Sequence, residues 1–315
     1  MQVTAVDLAT YSELLAHCYI ATDGADVDHD ELSEVLAELA ALPGRRGYFT
    51  RTFCEQSRYV QPPNGERIDA IRDHLEDRYR GTPLYPVLLT SLLLAADRVD
   101  STTGLQMAYL KSWSRRSYRP LELRAPELLA GPGLAVRGDA TEIVDLLPPV
   151  DLVYLDPPYN QHRYFTNYHV WETLVRWDEP DHYGVACKRV DSRDPQTRSV
   201  FNSRRTMPTA FLDLIDRVRG QIVMVSYNDE SWVDVAEISA ALGRRHDKVV
   251  VLDFDSPRYV GARIGIHSPA GLRVGTPGRL RNREFVFVAG TRERVEAVEE
   301  LVGHPGWRPT SVATG

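Results

Sequence analysis

Apolar residues recur at helical spacing through the first 120 residues and in short strand-length runs after them. A short strand over 2–6 ends at Asp7, and Leu14, Leu15, Cys18 and Tyr19 predict a helix over 10–20. An amphipathic helix is expected over 29–42, stopped by Pro43-Gly44. Residues 44–65 keep no period and read as loop, with aromatics at Tyr48, Phe49, Phe53 and Tyr59 and a turn at Pro62-Pro63-Asn64-Gly65. Two more helices are expected over 66–80 and 83–99, the second so apolar that it should be buried.

Beyond Pro120 the predicted strands are 135–137, 150–155, 221–226, 249–254 and 284–289, with a helix over 208–218. Strands alternating with helices indicate an α/β fold. After Thr291 the pattern predicts one amphipathic helix and then polar residues expected to fray.

The strand over 150–155 runs into Asp156-Pro157-Pro158-Tyr159. A polar tip past the carboxyl end of a parallel strand is where open α/β sheets place their sites. Each proline sets its own φ and biases the residue before it toward an extended conformation. The carboxylate of Asp156 and the carbonyl of Pro157 can each accept an N–H of an exocyclic base amine. That draws the nitrogen lone pair out of conjugation and aims it at an electrophile. Tyr159 offers a flat face for an unstacked base.

The net charge of −7 argues mildly against a nucleic-acid partner, but its distribution argues the other way. Acid crowds residues 23–38, whereas cations cluster at Lys111, Arg115, Arg116, Arg119 and Arg124, with Trp113 and Tyr118 interleaved. Two further clusters are Lys188, Arg189, Arg193, Arg198, Arg204 and Arg205, and Arg273, Arg279, Arg281 and Arg283. Such local patches are the electrostatic footprint of phosphate binding. Cys18, Cys54 and Cys187 are widely spaced and read as reduced thiols, so no metal site is expected. With no apolar run of membrane-spanning length and no export signal, no membrane partner and a cytoplasmic location are expected.

With these motifs in order, the chain resembles the D12 class of adenine-specific DNA methyltransferases. The likeness rests on Asp156–Tyr159, Gly47-Tyr48-Phe49-Thr50, the run from Asn64 to Arg72, and Ala95-Ala96-Asp97-Arg98-Val99. It extends through Ser226-Tyr227-Asn228, the run from Tyr259 to Ile266, and Arg283-Glu284-Phe285-Val286-Phe287. The resemblance implies S-adenosylmethionine as cofactor and double-stranded DNA as partner, and it allows for a cognate restriction endonuclease. It implies a Rossmann-like class I methyltransferase sheet carrying a mainly helical target-recognition insertion. The catalytic domain would comprise 1–20 and 131–290, the insertion 21–130, and the C-terminal helix and tail 291–315. It implies that Asp7 accepts from the cofactor ribose, Leu8 packs on its adenine, and Asp139 accepts from its adenine amine. Ala140 stands where the family often has an aromatic residue, and Asp156 lies on both the cofactor and target sides. His162, Arg163, Tyr164 and Phe165, just past the catalytic turn, would fill the space left by a flipped base or touch phosphate.

The family's opening strand and its Phe-x-Gly-x-Gly loop have no counterpart here, because the chain begins at what would be the second strand. The expectation is that this piece lies upstream of Met1; supply by a separate chain, or an inactive remnant, are the alternatives. A catalytically silent DNA-binding protein and an RNA base methyltransferase are the competing functions.

Overall fold

In the computed structural model, which describes residues 1–158, 161, 163–257, 266–267, 273–275, 281–302 and 311–314, the chain divides into two units. The first holds Met1–Asp139 and Arg163–Arg198, and the second Ala140–His162 and Ser199–Gly315.

The first unit is mainly helical. Strand β1 (Thr4–Asp7) leads through a tight turn into α1 (Thr10–Ala16), which continues as a π-helical turn over His17–Ala21. Then come α2 (His29–Ala41), α3 (Pro62–Arg78) and α4 (Tyr85–Arg98). Asp28 caps α2 by accepting from the amides of Asp30 and Glu31, and Pro62-Pro63 starts α3 where amides need no partner. The apolar stripes of these helices meet in one core: Leu32 and Leu39 of α2, Ile68, Ile71 and Leu75 of α3, and Leu88 and Leu92 of α4. As its composition predicts, α4 is almost wholly buried. Strand β2 (Leu134–Arg137) pairs in parallel with β1, Asp7 standing opposite Arg137. Helix α5 (His169–Arg176) completes the core with Val170, Trp171 and Leu174.

Two expectations fail in this unit. The turn expected at Pro62-Pro63-Asn64-Gly65 is the first turn of α3, because proline fits the start of a helix, and the loop before it is partly helical. Residues 44–65 are not all loop: a helical turn at Tyr48-Phe49 passes into a π-helix over Thr50–Gln56. Its i→i+5 winding does not produce the 3.6-residue apolar period by which a helix is recognised. The turn is made by a distant side chain. The fully buried carboxylate of Asp69 accepts from the amides of Gly47, Phe49 and Thr50 at 3.0, 2.9 and 2.8 Å and from the Thr50 hydroxyl at 2.6 Å. A Cβ on Gly47 would lie 2.5 Å from Asp69 Oδ1, so only glycine lets the backbone come this close.

The second unit is built on a five-stranded sheet. Strands β3 (Val150–Leu155), β4 (Gly220–Asn228), β5 (Lys248–Pro257), β6 (Arg281–Gly290) and β7 (Ser311–Thr314) lie in the order β7-β5-β6-β4-β3. β3 and β4 are parallel, with Leu155 opposite Val225, while β6 runs antiparallel to β4 and β5. Helices α6 (Met207–Arg217) and α7 (Val235–Gly243) cover one face, packing Phe211, Leu214, Ile238 and Leu242 on Val223, Val225 and Phe287. On the other face Val295 of α8 (Arg292–Val302) meets Val250, Leu252 and Val288. The final residues, expected to fray, instead form β7 against Val250–Asp253, satisfying the outer edge of β5. The opposite edge belongs to β3, whose only partner among the described residues is β4. There Leu152 and Tyr154 are 51% and 58% exposed, which is unusual for apolar side chains on a parallel strand. The architecture is mixed α/β, and among the described residues no helix is long and apolar enough to cross a membrane.

Candidate active site

In the first unit, Asp7 and Asp139 follow the carboxyl ends of two paired parallel strands. The Gly138 amide donates to the Asp7 carbonyl at 2.9 Å, which extends the pairing to the turn that carries Asp139. Asp7 Oδ1 accepts from the Ala9 amide at 2.9 Å and fixes the turn into α1. A carboxylate offers about four lone-pair positions, so this bond leaves acceptor capacity for another donor. Leu8, between them, is 38% exposed.

Helix α1 has no capping side chain of its own. The fully buried Glu172 of α5 serves in its place, with Oε2 accepting from the Tyr11 amide at 3.3 Å. Burial raises the Glu172 carboxyl above the usual range, while bonds from Thr10 and Tyr11 oppose the rise. The Tyr11 ring packs 5.5 Å from Tyr168, which stacks on Tyr164 at 6.1 Å. Burial raises the Tyr11 phenol, and the charge of nearby Asp7 adds to the effect. Glu172 and Tyr11 escaped sequence reading because the bond between them spans 161 residues of chain; Tyr164 begins a short helix, Tyr164–Asn167.

In the second unit, Asp156-Pro157-Pro158 emerge directly from the end of β3. Pro157 is buried and Pro158 half-buried, so the turn is anchored while the Asp156 side chain reaches the surface. Surrounding protein still strips water from the Asp156 carboxyl and raises it above the ordinary aspartate range. The neighbouring strand ends in Ser226-Tyr227-Asn228. Tyr227 is structural: buried, stacked on Phe211 at 5.4 Å, and accepting from the Val233 amide through its hydroxyl. Asn228 Oδ1 fixes the next turn by accepting from the Glu230 amide and the Ser231 hydroxyl. Opposite Asn228 in register stands Glu284 of β6. Burial raises its carboxyl, the bond from Asn228 lowers it, and Asp229, Asp156 and Glu230 raise it again. Ala140 opens a short helix, Ala140–Ile143, and packs on this unit's core. Tyr159, His162 and the run from Tyr259 to Gly265 lie outside the described residues.

Each of the three predicted cationic patches has members spent on internal pairs, in the first Arg116 with Asp100 and Arg124 with Glu122. Arg189, 1% exposed, is held by Asp178 and Asp191 at 2.7 Å each, and so cannot meet phosphate. Arg281 and Arg283 pair with Asp255 and Asp253 across the β5–β6 ladder. Diagonal pairing, in which each arginine of β6 meets an acid two places along from its register partner on β5, is not visible from linear clustering.

Several motifs that carried the resemblance prove to be internal braces. Gly47–Thr50 and Asp69 form the capped turn, and Asn64 accepts from the Leu121 amide at 3.0 Å and donates to the Arg119 carbonyl at 2.8 Å. Buried Arg72 donates to the Leu174 and Val175 carbonyls and pairs with Glu76. The profile of the D12 class N6 adenine-specific DNA methyltransferases matches residues 1–235. The chain belongs to this family.

Among its relatives is the Type II methyltransferase M.NlaIII of Neisseria lactamica, 30% identical over 247 residues, covering 75% of this chain and 71% of that protein. The modification methylase StsI of Streptococcus sanguinis is 30% identical over 204 residues, 62% of this chain and 31% of that protein. The Type II methyltransferase M.FokI of Planomicrobium okeanokoites is 30% identical over 196 residues, 60% of this chain and 29% of that protein. The chain thus spans less than a third of the length of the last two. Family and relatives alike favour a DNA adenine methyltransferase over a silent binding protein or an RNA-modifying enzyme, and the family implies a methyl donor.

Proposed function

We propose that this methyltransferase transfers the methyl group of S-adenosylmethionine to N6 of adenine in double-stranded DNA, with Asp156 and the Pro157 carbonyl as acceptors for the amine. The observation that carries this reading is the anchored Asp-Pro-Pro turn at the end of an apolar parallel strand, its carboxyl partly stripped of water. An acceptor in that setting binds an amine proton more strongly than one in bulk water. Tyr159 and Pro158 are assigned to holding the extruded base. The cofactor supplies an electrophilic methyl group. Asp7, Leu8, Asp139 and Ala140 are assigned to holding it, Asp7 toward the ribose and Asp139 toward the adenine amine. Two carboxylates at paired strand ends with an exposed leucine beside Asp7 suit a group that has hydroxyls, an amine and a flat apolar ring.

The open edge of β3, with Leu152 and Tyr154 exposed, supports the reading that a further parallel strand pairs there in a class I methyltransferase sheet. Residues 1–20 and 131–290 are assigned to the catalytic domain, 21–130 to target recognition, and 291–315 to the C-terminal helix and tail. Because its relatives are named Type II methyltransferases and modification methylases, a cognate restriction endonuclease is the expected companion.

Replacing Asp156 by Ala tests the assignment. Incorporation of labelled methyl groups into duplex DNA should fall about 100-fold or more, as expected for loss of a preorganised acceptor, while DNA affinity stays close to that of the parent. Retained transfer in Asp156→Ala would remove Asp156 from the mechanism.

A further inference from the structure

From Ser101 to Leu121 the chain has four cations and no carboxylate, although the whole protein carries a net charge of −7. One of the four is used internally: Arg116 pairs with the buried Asp100 and donates from Nε to the Asp100 carbonyl at 3.0 Å. That pair anchors a loop tied down at several other points. The Leu110 amide donates to the Ser101 carbonyl at 2.9 Å, and the Ser114 amide donates to Ser101 Oγ at 3.0 Å. The Ser114 hydroxyl donates to the Asp100 carbonyl at 3.0 Å and accepts from the Ser117 amide at 3.3 Å, starting the 3-10 turn Arg115–Tyr118. Tyr109 packs edge-on against buried Tyr59 at 5.4 Å, with Arg58 over its ring.

The remaining cations, Lys111, Arg115 and Arg119, are exposed and make no ion pair among the described residues. Elsewhere in the unit exposed arginines commonly have an acid: Arg45 has Asp73, Arg46 has Glu55, Arg80 has Glu76 and Arg124 has Glu122. The loop therefore holds three uncompensated positive charges on a backbone fixed by its own hydrogen bonds, with Tyr118 70% exposed beside them. Cations held this way lose little loop entropy on meeting a polyanion, and no carboxylate within the loop repels it.

Resting on the reading that the substrate is duplex DNA, we propose that the 101–121 loop is a sequence-independent clamp on the DNA backbone, with Lys111, Arg115 and Arg119 each neutralising a phosphate. Phosphate contacts fix the register of a protein on the duplex without reading bases, so the clamp positions DNA and leaves recognition to other side chains.

The test is a salt titration of duplex binding by the full chain carrying Lys111→Gln, Arg115→Gln and Arg119→Gln together, followed by fluorescence anisotropy on two duplexes of unrelated sequence. The slope of log affinity against log salt should become shallower by about 2 to 3, at roughly 0.9 for each phosphate no longer neutralised. Affinity should weaken equally for both duplexes, with an unchanged melting temperature. A control triple, Arg45→Gln, Arg46→Gln and Arg80→Gln, removes the same charge from paired positions and should leave the slope close to that of the parent. An unchanged slope in the clamp variant overturns the proposal, as does an equal change in the control or a change seen only with duplex RNA. Because binding is read without methyl transfer, Asp156→Ala should keep the parental slope, so failure of the clamp and failure of the catalytic assignment give different results.

Discussion

Asp156 illustrates how far a single residue can be read before the structure is known. The role proposed for it rests on the two prolines and the apolar strand before it, and the structure adds that its carboxyl is raised by loss of water. As the proposed amine acceptor Asp156 must be ionised, so transfer should fall as pH drops through a value above the ordinary aspartate range. A kcat/KM profile whose acid limb lies at that ordinary range or lower would contradict a desolvated Asp156. His169 gives a prediction for stability. Burial lowers its imidazole to about 3, its Nε2 sits 3.1 Å from the Gln106 carbonyl, and Nδ1 has no hydrogen-bond partner among the described residues. The ring is neutral in the fold, whereas the unfolded chain takes up a proton below about pH 6.5. The unfolded state binds more protons between that value and about 3, so stability should decline as pH falls through this window. In His169→Gln the decline, followed by thermal melting, should be shallower. Arg189 marks the limit of linear reading. Its neighbours suggested a phosphate ligand, but two acids, one eleven residues earlier, hold it inside the protein.

Among the elements, the amphipathic helices and the strands were legible, since each has an apolar face that a core must cover. Elements made by distant side chains were not. The turn at Tyr48–Thr50 exists because Asp69 supplies a buried acceptor for three amides and a hydroxyl, and α1 begins where Glu172 accepts from Tyr11. Asp69→Ala strands those donors without water and should cost about 3 kcal/mol or more in urea unfolding. Asp69→Asn keeps the shape and should cost less. If Asp69→Ala melts like the parent, the carboxylate does not hold this turn. The last strand escaped notice because Ser311–Thr314 is too short to stand out from a polar tail, and only the edge of β5 gives it a partner.

For the molecule as a whole, net charge is a poor guide and pairing a better one. Many arginines are neutralised by a nearby acid, which explains how an acidic protein can still present a local cationic surface at Lys111, Arg115 and Arg119. The family was legible because its motifs combine the Asp-Pro-Pro turn with braces such as Asp69 and Arg72, whose spacing along the chain reflects contacts across the helical unit. The partners of those braces were not legible, since contacts over about a hundred residues leave no local pattern. Function turns on one chemical event, the placing of a methyl group on N6 of adenine. Nucleoside mass spectrometry of duplex DNA incubated with the protein and methyl-labelled S-adenosylmethionine reads that event directly. Labelled N6-methyladenine is expected from the parent and none from Asp156→Ala. Label in N4-methylcytosine, or label in N6-methyladenine that persists in Asp156→Ala, would contradict the proposed reaction.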